Sequence, residues 1–284
     1  MKYPALILLM AAAYFQSVSC QPVNIMVKNI NKNEILDDGS QSGNWFTYIQ
    51  QTYDDKNRLV LERFYDGKAK IQDSYTWYYY NDEGRLKSVE NYGIDKNPRM
   101  LKQIKYNGSG DTLKIIVFSG IQGSFKKVSE KTFAYSTSGQ LIQSKTLAPD
   151  NSLIETTKYS FRSGSKVPAK ISIVNNSASP FKEKIAIEYN DSSKMPQSLV
   201  KQINQTAIRN KQKINISYNK KGKPLEERYQ AGSQLIKRKV YEYSSGVELK
   251  KYFEEDGKGK LTELYTIETY FHKANLDVRS FFEK

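Results

Sequence analysis

Apolar and polar residues alternate in short segments of this chain, and polar turn residues interrupt the segments at regular intervals. Ile214, Ile216 and Tyr218 form one stripe of period two, and Leu59 and Leu61 belong to another. A period of two is typical of β-strands, because successive side chains of a strand point to opposite faces of the sheet. The pattern therefore predicts strands separated by turns, with Leu59 and Leu61 on the same face.

The turn segments are similar to one another. Each starts with an aromatic residue, continues through polar residues with Gly, Asn or Ser, and ends at an aliphatic residue or proline. Eight such units begin 25 to 29 residues apart, about 27 on average, at Tyr53, Tyr80, Tyr106, Tyr135, Phe161, Tyr189, Tyr218 and Tyr243. A unit of this length accommodates two strands and two turns.

These units predict an all-β fold, a repetitive antiparallel β-meander of hairpins with the repeated tyrosines stacked as a ladder. A long single-layer sheet would leave its edges exposed, so we expect a curled sheet, a half-shell or a barrel. The alternative is an ordinary β-sandwich or barrel whose turns use Gly and Asn without a true repeat.

Two units carry a family resemblance. Tyr53-Asp54 and the complete copy from Tyr80 to Leu86, Tyr-Asn-Asp-Glu-Gly-Arg-Leu, resemble the YD repeat of RHS proteins, teneurins and related toxin shells. The resemblance covers roughly residues 48–270 and implies strand-turn-strand architecture. In this chain the units are spaced more widely than is usual in the family, and the later units are degenerate. The sequence has no segment like the Asp-Pro-x-Gly of the self-cleaving core of RHS proteins, and no toxin domain follows the repeats. A lipoprotein signal followed by degenerate repeats is similar to secreted proteins of Bacteroidetes.

The N-terminal segment has the layout of a signal peptide. Lys2 precedes an apolar run from Ala5 to Phe15 that is too short to span a bilayer. Ser17-Val18-Ser19-Cys20 resembles the lipobox of bacterial lipoproteins, with Ser17 where an aliphatic residue is usual. Cys20 is the only cysteine, so we expect lipidation there and no disulfide. The alternative is ordinary cleavage close to this position.

We therefore divide the chain into a lipoprotein-type signal peptide (1–19), a tether with the first strand (20–44), the repeat domain (45–270) and a C-terminal cap (271–284). The expected location is the outer membrane, anchored through the lipid and facing the periplasm. The alternative location is periplasmic or secreted, without an anchor.

Positive charge is concentrated in one part of the chain. The whole chain carries a net charge of +14, and residues 156–225 hold 14 Lys and Arg against three acids. Such a segment can attract anions. The candidate anion patch comprises Lys201, Arg209, Lys211, Lys213, Lys220, Lys221 and Lys223. The alternative is a solvated strand face that discourages edge aggregation. Nucleic acid is not an expected partner, because no DNA- or RNA-binding motif occurs.

Aromatic residues form a second candidate surface. Tyr75, Trp77 and Tyr79 are two residues apart and should share one face of a strand, and Trp45 is a candidate to join them in space. An exposed row of this kind could stack on sugar rings. The alternative is structural packing, because tyrosine fits half-buried sheet surfaces well.

Few residues are available for catalysis. With His272 as the only histidine, the sequence lacks the material for histidine metal sites, and it has no phosphate-binding glycine loop. We expect no catalytic residue, metal or cofactor, and no enzyme. The expected function is a non-catalytic exported envelope protein, a β-repeat scaffold that binds partner proteins or envelope glycans. The alternatives are a dedicated carbohydrate-binding protein and a glycan hydrolase that uses a carboxylate pair.

Overall fold

The structure of the protein, a computed structural model, describes residues 23–66, 71–121, 124–190, 195–205 and 208–274. At residues 23, 24, 71, 121, 205, 208–210 and 272–274 it describes the backbone alone. Cys20 and the expected signal peptide lie outside the described residues, as do residues 275–284 of the expected cap.

The described chain consists of β-strands joined by turns, and none of its residues lies in a helix that could cross a bilayer. The eighteen strands are β1 (Val23–Ile35), β2 (Gln41–Tyr53), β3 (Leu59–Asp66), β4 (Ile71–Tyr80), β5 (Leu86–Gly93), β6 (Pro98–Tyr106), β7 (Thr112–Ile121), β8 (Ser124–Tyr135), β9 (Leu141–Leu147), β10 (Leu153–Phe161), β11 (Pro168–Asn175), β12 (Phe181–Tyr189), β13 (Pro196–Gln205), β14 (Ile208–Tyr218), β15 (Pro224–Ala231), β16 (Gln234–Ser244), β17 (Glu248–Asp256) and β18 (Leu261–Ala274). The all-β prediction is confirmed.

Each strand pairs antiparallel with the next strand in the sequence, and the last strand pairs with the first. Val27 of β1, for example, lies opposite Thr52 of β2 and Tyr270 of β18. The sheet is therefore a meander that closes into a barrel, which confirms the predicted meander and selects one of the three expected shapes. Closure gives every strand two hydrogen-bonded neighbours and removes the exposed edges that an open sheet would have.

A shift in strand register precedes the first residue of every repeat unit. In the first unit Tyr53 pairs with Leu59, whereas Thr52 pairs with Leu61, so Val60 is an extra residue. Such a β-bulge breaks the alternation of faces. Leu59 and Leu61 consequently lie on opposite faces, which differs from the prediction made from period two.

Tyrosine hydroxyl groups connect consecutive repeat units. Five of them donate hydrogen bonds to a backbone carbonyl oxygen of the preceding unit: Tyr80 to Leu59 at 2.8 Å, Tyr106 to Leu86 at 2.7 Å, Tyr135 to Thr112 at 2.9 Å, Tyr189 to Pro168 at 2.8 Å and Tyr218 to Pro196 at 2.8 Å. The expected ladder is thus a ladder of hydrogen bonds. It explains physically why an aromatic residue with a hydroxyl group recurs at this position.

The barrel includes both ends of the described chain. β1 forms part of the wall, and the expected boundary between residues 44 and 45 lies inside β2. At the other end β18 continues to Ala274, and Phe271 pairs with Met26. The residues from 271 to 274 therefore extend the closing strand, because pairing with β1 requires them.

The two faces of the wall differ in burial from β8 to β12. Ser144 and Thr157 are 2% and 5% exposed, whereas Ala134 and Ala186 on the opposite face are exposed. A curved sheet crowds its concave side, so the face of Ser144 and Thr157 is called the inner face and the other the outer face. Burial also occurs on the outer face: Ser198 of β13 is 3% exposed, and Thr52 and Leu61, close to where β1 pairs with β2, are 0% and 1% exposed.

The inner face surrounds the interior of a closed sheet of eighteen strands. A closed sheet of 16 to 18 strands is generally too wide for its side chains to fill. Consistent with this, the ion pairs and ring contacts seen among the described residues join strands that are adjacent or one strand apart. The inner face is therefore the concave surface on which a ligand could be enclosed.

Candidate functional site

Four tyrosines form a continuous row on the inner face where the last strands meet the first. Tyr241 pairs with Tyr252, and Tyr252 pairs with Tyr265. The ring centroids of Tyr241 and Tyr252 are 6.2 Å apart, and those of Tyr252 and Tyr265 are 4.4 Å apart. The ring centroid of Tyr48 lies 6.0 Å from that of Tyr265. Directly paired aromatic residues stabilise an antiparallel sheet, which explains the arrangement locally. We call Tyr241, Tyr252, Tyr265 and Tyr48 the tyrosine row.

Carboxylates orient the rings of the row through their hydroxyl groups. Glu227 accepts a hydrogen bond from Tyr241 at 3.0 Å and another from Tyr229. Glu263 accepts a hydrogen bond from Tyr265 at 3.0 Å. These bonds hold the aromatic faces in fixed positions along the wall.

Lysines neutralise the acids of this region. Glu254 accepts a hydrogen bond from Lys237 at 3.1 Å and forms a second, shorter ion pair with Lys239. Lys32 lies 3.3 Å from Glu263, and its Nζ is 5.2 Å from the ring centroid of Tyr265. Three lysines thus pair with two glutamates, and with Glu227, which accepts from tyrosines, the region holds three cations and three acids beside its aromatic surface.

The protonation states of this region follow from its burial and its charges. Burial raises the pKa of Tyr241, Tyr252 and Tyr265, and neighbouring carboxylates raise each of them further. Burial also opposes ionisation of Glu254, but hydrogen bonds from Lys239 and Lys237 outweigh it and lower the pKa of that carboxyl. At neutral pH the tyrosines therefore remain neutral and Glu254 remains charged.

We expect the barrel to lose stability in alkali. Because the folded-state pKa values of these tyrosines exceed the unfolded value of about 10, the unfolded chain releases protons first as the pH rises above that value. The free energy of unfolding should stay level below that pH and fall above it. Urea unfolding at a series of pH values, with tyrosinate absorbance followed in parallel, measures this, and a Tyr241→Phe variant should show a shallower decline. Tyrosines that all titrate near pH 10 in an intact barrel would contradict the assignment.

The predicted aromatic residues lie elsewhere, on the outer face of β4. Tyr75, Trp77 and Tyr79 share that face and are half-buried. Tyr75 stacks on Tyr92 with ring centroids 5.1 Å apart, and Tyr79 donates a hydrogen bond to Glu90 at 3.2 Å. These side chains pack against the neighbouring strand β5.

Trp45 lies far along the barrel wall from the aromatic residues of β4. Trp77 lies level with Thr52, since both pair with Leu61. Trp45 is seven residues before Thr52 on β2, which corresponds to about 23 Å along the strand. The two tryptophans therefore cannot contact one sugar ring together.

The predicted anion patch is divided between three locations. Lys201 lies on the inner face and forms an ion pair with Glu183 at 2.9 Å. The side chain of Arg209 lies outside the described part of the structure. The remaining members are on the outer face of β14 or in the turn that follows it: Lys211 and Lys213, then Lys220, Lys221 and Lys223. Strand alternation separates residues that are close in the sequence, so they do not form one surface.

The tyrosine row was not identified from the sequence, although a signal for it exists. On four successive strands a tyrosine lies two residues from a charged residue, which places both on one face. These pairs are Glu227 with Tyr229, Lys239 with Tyr241, Tyr252 with Glu254, and Glu263 with Tyr265. Repetition of this spacing on adjacent strands indicates a mixed aromatic and ionic surface.

Among the described carboxyl groups, the pKa shifts have a single direction. Within the described ranges, each carboxyl group whose pKa departs from its usual value has a lowered pKa, as Glu130 does beside Lys114 and Lys127. A glycosidase acid needs a raised pKa. Nor do the described residues contain a group of three or more His, Cys, Asp or Glu side chains that could hold a metal ion.

Comparison with known proteins gives distant likenesses only. No protein-family model and no curated protein matches the chain. A crystal structure of TcdB2-TccC3-Cdc42 is similar over 86% of this chain and 16% of its own length, with 12% identity and a TM-score of 0.37. A porin-like protein from Bacteroides uniformis is similar over 89% of this chain and 99% of its own, with 9% identity and a TM-score of 0.41. The chain thus spans about a sixth of the length of the first structure, and likenesses this distant carry no argument about function.

Proposed function

We propose that the protein is a non-catalytic, exported scaffold of the cell envelope whose inner face binds glycans through the tyrosine row. The observation that carries the proposal is the row itself, in which the buried Tyr265, 5% exposed, supports Tyr252 at 4.4 Å, and Tyr241 continues the accessible aromatic surface on the inner face. Export is supported by the signal-like segment before Cys20.

The chemistry of the row suits carbohydrate. A sugar ring presents apolar C–H faces and polar hydroxyl edges, so it needs aromatic surface beside hydrogen-bonding groups. Tyr241 and Tyr252 offer that surface. Lys237 and Lys239 on the strand of Tyr241, and Glu254 on the strand of Tyr252, lie on the same inner face. Because the acids and lysines of this region balance, it has little net charge, which suits an uncharged glycan.

The membrane anchor would fix one end of the barrel. Val23 pairs with Ala274, and Met26 lies opposite Tyr53, so β1 begins at the end of the barrel where the repeat turns lie. Two residues, Gln21 and Pro22, separate Cys20 from Val23, and the three steps from one Cα to the next span at most about 10 Å. A lipid on Cys20 would therefore hold the repeat turns close to the membrane surface.

Binding of neutral hexasaccharides tests the proposal, with maltohexaose, cellohexaose and chitohexaose as probes in calorimetric titrations. We expect saturable binding of at least one probe and a loss of at least about tenfold in Tyr252→Ala. Tyr75→Ala is the matched control, because it removes a stacked tyrosine from the outer face, and its affinity should change by less than about twofold.

Two results would contradict the proposal. A larger loss of glycan affinity in Tyr75→Ala than in Tyr252→Ala would place the glycan site on the outer face. If none of the probes bound, the proposed glycan site would be wrong. Urea unfolding of both variants checks that each is folded.

The intact mass of protein extracted from membranes of the native host tests the anchor, since an unmodified N-terminus near Gln21 would contradict lipidation.

A further inference from the structure

Six exposed lysines occupy the outer face of the wall between β10 and β14, on every strand of this stretch except β13. They are Lys158, Lys170, Lys182, Lys184, Lys211 and Lys213, which we call the lysine wall. Among the described residues none of the six makes an ion pair. The single acid on this face of these strands is Glu188, whose carboxylate accepts a hydrogen bond from Ser198 at 2.7 Å.

Three of these lysines lie in one row across the strands. Lys158 pairs with Ser172, Ser172 with Lys184, Lys184 with Gln202, and Gln202 with Lys211. A lysine therefore occurs on every second strand, and neighbouring strands are 4.7 to 4.9 Å apart, so the charges repeat about every 10 Å. Ser172 and Gln202 lie between them as uncharged hydrogen-bonding groups.

The lysine wall differs from the outer face of β7 and β8 and of β15 to β17. On β7 and β8, Lys114 and Lys127 both pair with Glu130, at 2.6 Å and 3.0 Å. On β15 to β17, Arg238 lies between Glu226 and Glu255. The outer-face cations of those strands are thus neutralised, whereas the wall has one acid, Glu188, against its six lysines. Such a surface attracts a polyanion with little competition from the protein's own acids.

The curvature of the wall favours a flexible linear partner. The wall covers four of the eighteen inter-strand steps of a closed barrel and is convex. A flat anionic membrane would contact a convex wall along a few strands only, whereas a linear polymer can follow it from Lys158 to Lys211. The row also runs across the strands, which is the direction that a wrapped polymer would take.

We propose that the lysine wall binds a linear acidic polysaccharide that carries one carboxylate per disaccharide, laid across β10 to β14. The length of a disaccharide is comparable with the spacing between the lysines of the row, so successive carboxylates can meet Lys158, Lys184 and Lys211. This site is separate from the tyrosine row, because it lies on the opposite face of the wall.

Binding of hyaluronan decasaccharide, which has a uronate at every second sugar, tests the proposal. We expect the triple variant Lys158→Gln, Lys184→Gln, Lys211→Gln to bind at least about thirtyfold more weakly than the parent at low salt. The control variant, Lys220→Gln, Lys221→Gln, Lys223→Gln, loses the same net charge from the turn after β14. Its affinity should fall by less than about threefold.

Three results would overturn the proposal. Equal losses in the two triple variants would show that net charge alone attracts the polymer. No binding of hyaluronan by the parent would remove the site. Binding to phosphatidylglycerol vesicles but not to hyaluronan, with loss in the first variant, would identify the wall as a membrane-contacting surface. Because these lysines are exposed, both variants should unfold at the parent's urea concentration. Titration with the neutral hexasaccharides in the wall variant separates this site from the tyrosine row.

Discussion

Replacing Gly120 with alanine should lower the free energy of unfolding by about 3 kcal/mol, the upper end for overpacked sites. Gly120 lies on β7, and a Cβ atom placed there would be 1.9 Å from the carbonyl oxygen of Pro98 and 2.6 Å from its carbonyl carbon. Both are backbone atoms of β6, so no side-chain rotation can relieve the overlap. The two strands would have to separate locally, and urea unfolding followed by circular dichroism measures the cost.

Gly108→Ala provides the matched control for this substitution. Gly108 belongs to the turn after Tyr106, and nothing lies within 4 Å of the position that its Cβ would take. The same chemical change should therefore alter the free energy of unfolding by no more than about 0.5 kcal/mol. Similar losses in the two variants would show that the approach of β7 to β6 does not restrict residue 120.

Replacing Asp54 with alanine should lower the free energy of unfolding by about 3 kcal/mol, because the carboxylate accepts the hydrogen bonds that stabilise a repeat turn. Asp54 is 8% exposed, and its Oδ1 accepts hydrogen bonds from the backbone N–H groups of Lys56 at 3.0 Å and Arg58 at 2.8 Å. Its Oδ2 accepts a further bond from Nε of Arg58 at 2.7 Å. Alanine would leave these donors without a partner at a largely buried position.

Two further variants separate the contributions at this turn. Asp54→Asn keeps an acceptor for the backbone N–H groups and loses only the ion pair with Arg58, so we expect about half the loss. Ser136→Ala removes the corresponding residue of another unit, whose Oγ accepts one bond from Gln140 at 3.1 Å, and should cost about 1 kcal/mol. If Asp54→Asn were as unstable as Asp54→Ala, the guanidinium pair and not the turn hydrogen bonds would stabilise this unit.

The repeat units show how far local sequence predicts this fold. An aromatic residue followed by Asp or Asn and then Gly, as in Tyr80-Asn81 with Gly84, indicates a turn with a left-handed residue, and Gly84 has a φ of 77°. Asn81 accepts a hydrogen bond from the N–H of Arg85 at 2.8 Å, as a turn residue of this type should. Both features depend on contacts within a few residues, which is why the sequence shows them.

The β-bulges could not be predicted from the pattern of apolar residues. Tyr53 and Leu59 pair across the turn, and the extra residue Val60 becomes visible only in the register of β2 against β3. The pattern in the sequence places Leu59 and Leu61 on one face, whereas the bulge places them on opposite faces. Register depends on two strands together, and no single segment contains that information.

The two surfaces that we assign to binding show the same limit. The sequence places Tyr75, Trp77 and Tyr79 on one face because they lie on one strand, and in the structure they share that face. Tyr241, Tyr252 and Tyr265 form the tyrosine row from three strands, so their contact depends on pairing. The lysine wall likewise requires the register of five strands.

The amino-acid sequence by itself determined the β-strands, the repeated turns and the recurrence of the tyrosine hydroxyl groups, because each results from local backbone and side-chain chemistry. Tertiary structure alone decided that β18 pairs with β1, which residues line the inner face, and which charges remain without a partner. These properties arise from hydrogen bonds between β1 and β18, whose paired residues Val23 and Ala274 are the two ends of the described chain. Closure of the sheet therefore turned a repeat of hairpins into a wall with two chemically different faces.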